Sequence, residues 1–75
     1  MIKEHDLIVL TADLPAEKLC AGDVGTIVHI HKLGEAYEVE FMALDGETVT
    51  VTTLPASKVR PIARHEIAHA RLLSA

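Results

Sequence analysis

The sequence predicts a small all-β fold: a five-stranded barrel over residues 1–63, followed by a short C-terminal helix over residues 64–75 that belongs to the same domain. Three observations predict it. Apolar, β-branched runs recur at short intervals between Gly, Pro and Asp turns, which is the spacing of a sandwich or barrel. One run, Tyr37-Glu38-Val39-Glu40-Phe41, alternates strictly, so its apolar residues face a core and its glutamates face water. The last stretch, residues 63–73, holds good helix formers and neither Gly nor Pro.

The elements follow in chain order. Asp6-Leu7-Ile8-Val9-Leu10-Thr11 is the first strand, and a long loop from Leu14 to Gly22 follows. Gly25-Thr26-Ile27-Val28-His29-Ile30-His31 is the second strand and turns at Leu33-Gly34-Glu35. The alternating run is the third. Leu44-Asp45-Gly46 then turns the chain into Thr48-Val49-Thr50-Val51-Thr52, with its valines inward. Pairing buried faces with buried faces favours a three-residue loop with Gly46 in the left-handed position. Phe41 then opposes Val49, and Val39 opposes Val51. The same logic sets Ile30 against Val39 and Val28 against Phe41, with His31 against Glu38 and His29 against Glu40 outside. Pro55-Ala56-Ser57-Lys58 reads as a 3-10 turn, and Val59-Arg60-Pro61-Ile62 as a last strand that Pro61 confines to an edge. An eleven-residue tail is marginal as an isolated helix, so it must dock; an extended strand is the alternative, because Ile67 and Leu73 also fit a period of two.

Composition narrows the class. Seventy-five residues form one domain with a small core that needs an added source of stability. Cys20 is the only cysteine, which excludes an internal disulfide and suits a reducing cytoplasm. The charged start, with Lys3, Glu4 and Asp6, is not expected to be a secretory leader, and no apolar run is long enough for a membrane span. Seven basic residues face eleven acidic ones, giving a net charge of −4 and disfavouring nucleic acid as a partner. The one basic concentration is Lys58, Arg60, Arg64 and Arg71.

Five short strands, a long first loop and a 3-10 turn before the last strand together resemble an SH3-like barrel. The segment Ala21-Gly22-Asp23-Val24-Gly25-Thr26-Ile27-Val28 resembles the glycine-bearing strand of such barrels, KOW-type modules included. A longer pattern runs through Leu7-Ile8-Val9-Leu10, Ala21 to Thr26, Glu35 to Phe41, Asp45-Gly46 and Leu54. It continues through Val59-Arg60-Pro61-Ile62 into Glu66-Ile67-Ala68-His69-Ala70-Arg71. In this it resembles a bacterial family, domain of unknown function 4926. The resemblance implies the fold and offers no catalytic residues. By analogy it implies an accessory, partner-binding role and an origin in mobile genetic regions.

Four constellations could carry chemistry. His65-Glu66-Ile67-Ala68-His69 reads literally as H-E-x-x-H, which on a helix sets two histidines on one face for zinc and a glutamate beside its water. No His, Asp or Glu follows His69 in the sequence, so a third ligand has to come from His5, His29, His31 or a barrel carboxylate. His29 and His31 opposite Glu38 and Glu40 form a second group, able to chelate a metal or respond to pH; the plainer reading is a solvated sheet face with charge pairs. Gly22-Asp23-Val24-Gly25 matches the G-x-x-G of RNA clamps but enters a strand, where it is better read as a tight turn. Cys20 has no evident base beside it and reads as a free structural thiol.

No catalytic residue, no cofactor and no resident metal are expected, with His29, His31, His65 and His69 the leading metal-ligand candidates. The expected function is non-enzymatic: a module that binds itself or another protein through the apolar tail residues Ile67, Ala70, Leu72 and Leu73. Those side chains cannot all hide on so small a domain. A KOW-like nucleic-acid module and a surface His/Glu metal binder are the alternatives.

Overall fold

The computed structural model describes residues 1–73. Five strands are present: β1 (Leu7–Leu10), β2 (Val24–His31), β3 (Ala36–Met42), β4 (Thr48–Pro55) and β5 (Val59–Pro61). Three single 3-10 turns join them, at Pro15–Glu17, Lys32–Gly34 and Ala56–Lys58. All neighbouring strands are antiparallel, in the order β4-β3-β2-β1-β5. The sheet is open: β4 and β5 are its two edges and do not pair, which corrects the expectation of a closed barrel.

The core forms on one face. Ile8, Leu10, Leu19, Ile27, Tyr37, Val39, Phe41, Leu54 and Val59 are buried together, with Ile2, Leu14 and Ile30 packed at its margin. Each fully buried side chain of this size contributes roughly 1.5–3 kcal/mol. The alternation of β3 works as expected: Tyr37, Val39 and Phe41 are buried and Glu38 and Glu40 lie outside. Gly25 sits opposite Ile8 in the β1–β2 pairing. A Cβ there would come within 2.6 Å of Val39 Cγ1 and 2.9 Å of Phe41 Cε1.

The registers differ from expectation, through a bulge in each hairpin and a longer turn in one of them. The β3–β4 loop is as expected: Ala43 N–H donates to the Glu47 carbonyl, Gly46 N–H donates to the Ala43 carbonyl, and Gly46 has a φ of 95°. A bulge then slips the strands, so Phe41 faces Thr50 and Val39 faces Thr52 instead of Val49 and Val51. Leu54 and the two valines have opposite parity along the strand, so an unbroken β4 cannot turn all three inward. The fold buries Leu54 opposite Tyr37, leaves Val51 exposed and absorbs the conflict at Val49. β2 repeats the device. Ile27 and Ile30 have opposite parity, and an extra residue at Val28 lets Ile27 face Val39 and Ile30 face Tyr37. The Lys32–Gly34 turn also lengthens that loop, so His31 faces Ala36 and His29 faces Glu38.

The expected C-terminal helix is not formed. Beyond β5 the chain turns at Arg64 and His65, with a φ of 67° at His65, and runs on without helical or strand pairing. The turn breaks the helical path at its first residues, and the segment buries no side chain to pay for helix nucleation. Ser74 and Ala75, the end of that expected helix, lie outside the described residues. No helix is long and apolar enough to cross a membrane among the described residues.

Candidate functional site

Two ion pairs tie the tail to the sheet. At the first, the Glu66 carboxylate accepts both arms of the Arg60 guanidinium, Nη1 at 2.9 Å and Nη2 at 2.6 Å, and the Ala63 N–H at 2.6 Å. Arg60 lies on β5 and also donates to the Pro61 carbonyl at 3.0 Å, which fixes the fork beside the strand end. These donors favour the charged carboxylate. The Arg60 hydrogen bonds contribute most and the Ala63 N–H next, and together they pull the Glu66 pKa down to about 2.

The second anchor joins Arg71 to Asp23, 48 residues apart in sequence. Asp23 immediately precedes β2 and shapes the end of the long first loop. Its Oδ2 accepts the Cys20 N–H at 2.8 Å, while its own N–H donates to the Cys20 carbonyl at 3.0 Å. Arg71 donates Nε to Oδ1 at 3.0 Å and Nη2 to Oδ2 at 2.5 Å, and Nη2 also reaches the Lys18 carbonyl at 3.2 Å. Partial burial by itself raises the Asp23 pKa; the Arg71 and Cys20 hydrogen bonds outweigh it and hold the carboxyl below its ordinary value.

Between and beyond these anchors the apolar side chains face solvent. Ile67 is 93% exposed and Leu72 94%; Ala70 is exposed and Leu73 is 38% exposed. The four residues singled out in the sequence therefore share one extended strap and not a helix face.

That geometry corrects the reading of His65-Glu66-Ile67-Ala68-His69. The two histidines do not share a helical face, and the Glu66 carboxylate is occupied by Arg60. The second histidine group does assemble, in a changed pairing. His29 and His31 stack edge to face with ring centroids 4.5 Å apart. His31 Nε2 lies 3.5 Å from Glu38, while His29 Nδ1 lies 3.7 Å from Glu4, a partner the sequence reading did not name. Glu40 instead accepts the Thr48 hydroxyl at 2.6 Å. No group of three or more His, Cys, Asp or Glu is placed to hold a metal ion among the described residues. In Gly22-Asp23-Val24-Gly25 the turn is made by Gly22, and Asp23 carries the tail anchor. Cys20 is a half-buried free thiol.

Arg60 and Arg71, two of the four residues in the basic concentration, are thus committed to carboxylates. Sequence reasoning missed both anchors. Glu66 sits six residues from Arg60, a local signal visible once the helix is given up. Nothing local links Arg71 to Asp23.

A family model for a domain of unknown function, DUF4926, matches residues 4–61. The chain belongs to this family. No curated protein matches it, and no solved structure does. The DUF4926 match runs from before β1 to the end of β5. Asp23 and Arg60, the sheet's half of each anchor, lie inside the DUF4926 segment, and Glu66 and Arg71 lie beyond it.

Proposed function

We propose that this chain is a non-enzymatic protein-binding module, cytoplasmic by its single free thiol, that grips a partner protein through its anchored tail. The observation that carries this reading is the strap itself. Two forked arginine–carboxylate pairs hold an extended segment in place while Ile67 and Leu72 point outward. An extended segment held at two points loses less freedom on binding than a loose one, so more of its contact energy appears as affinity. Exposed aliphatic side chains on such a strap are anchors for a pocket in a partner. The strand order, the long first loop and the 3-10 turn before β5 support an SH3-like frame beneath the strap. Engagement of Arg60 and Arg71 with carboxylates weakens the nucleic-acid alternative.

The test is capture from an extract of the native host with the full chain, with Ile67→Asp plus Leu72→Asp, and with Arg71→Ala. A protein retained by the parent is purified and its direct binding is measured. The reading expects that protein to bind the parent and to lose at least tenfold in affinity for the Ile67/Leu72 variant. Equal affinity for both, or no protein retained by the parent, overturns it.

A further inference from the structure

The two edges of the sheet are unequal. β5 is three residues long, ends on Pro61, which has no N–H, and is flanked by the Arg60–Glu66 clamp. Those are ordinary ways of blunting an edge. β4 shares only the terminal proline, at Pro55. It runs for eight residues as Thr-Val-Thr-Val-Thr-Thr-Leu-Pro, without one charged side chain and with proline only at its last position. The bulge lies at the hairpin end, so from Phe41↔Thr50 to Ala36↔Pro55 the register is regular. Among the described residues, the backbone of residues 50–55 hydrogen-bonds to β3 alone. Every second residue there directs an N–H and a C=O outward, and an extended strand is the occupant that satisfies such a row.

We propose that β4 is a pairing edge whose occupant is the β4 of a second copy, antiparallel across a two-fold axis. Charge complementarity selects this occupant and this direction. The start of β4 follows Asp45 and Glu47, and its end leads into Lys58. An antiparallel mate brings the acidic end of one copy beside the basic end of the other, twice, whereas a parallel mate sets like charges together. The two-fold also faces an uncharged Thr/Val run with itself, where β-branched cross-strand pairs are favourable. The resulting sheet is continuous across both copies, and the tail strap is left free, so this contact does not depend on the tail-binding reading.

Sedimentation equilibrium on the full chain measures it, with thermal unfolding as the folding control. The parent is expected at twice its 8.1 kDa chain mass at high micromolar concentration. Val51→Lys changes an already exposed outer position and places a charge on the edge. It is expected to weaken dimerisation by about tenfold or more without lowering the melting temperature measured at concentrations too low for the parent to dimerise. Glu47→Lys and Lys58→Glu are each expected to weaken it, and the double swap to restore it. The Ile67→Asp plus Leu72→Asp variant is expected to remain a dimer. A monomeric parent at these concentrations overturns the proposal. So does a dimer unaffected by Val51→Lys, or single charge swaps that the double swap fails to rescue.

Discussion

At the scale of single residues, Gly25 and Asp23 do the most with the least side chain. Gly25 lets β2 cross the core against Val39 and Phe41, and its lack of a Cβ is what the packing requires. Both neighbours are almost wholly buried and have little room to retreat. Gly25→Ala is therefore expected to cost about 1–3 kcal/mol by overpacking, read as a lower midpoint in urea at an unchanged slope. A substitution that leaves the midpoint in place contradicts the close approach. Asp23 fixes the loop end by accepting the Cys20 N–H on Oδ2 and holds Arg71 with both oxygens. In the sequence it reads only as an acid in a glycine turn, because its partner lies too far along the chain to be guessed.

At the scale of elements, the bulges trace to residues of conflicting parity in one strand, and the Lys32–Gly34 turn accounts for the rest of the β2–β3 shift. Ile27 with Ile30 in β2, and Val49 and Val51 with Leu54 in β4, cannot all face one side of an unbroken strand. The alternation in β3 was legible because nothing in it conflicts. In the other two strands the conflict is equally visible in the sequence, and a bulge is what resolves it. The tail failed for a different reason. Helix propensity was its only support, and a turn held by Glu66, Ala63 and Arg60 outcompetes a propensity worth tenths of a kcal/mol per residue.

The first anchor carries a pH dependence whose sign follows from Glu66. Its pKa falls from 4.5 to about 2 on folding, so its contribution is complete above about 4.5 and is lost as pH drops toward 2. Asp23, also lowered, acts in the same direction. A carbon-detected titration of the Glu66 carboxyl is expected to show a midpoint near 2, moving back toward 4.5 in Arg60→Ala. An ordinary midpoint in the parent shows that the clamp is not made.

At the scale of the whole molecule, class, strand count and the buried face of β3 are readable from the sequence, since turns and alternation are local signals, whereas Val28 and Val51, expected inside, are exposed and Val49 is only half-buried. Sheet closure and the tail's path are not readable, since both depend on contacts between distant parts of the chain. The account stands on one feature: an extended strap, pinned by Arg60–Glu66 and Arg71–Asp23, that offers Ile67 and Leu72 to a partner. Nuclear magnetic resonance of the full chain at neutral pH tests it most directly. The account predicts extended Cα and Cβ shifts from Glu66 to Leu72, together with contacts between the Arg71 side chain and Asp23. Helical shifts across Arg64 to Leu72, or an Arg71 with no contact to Asp23, contradict it.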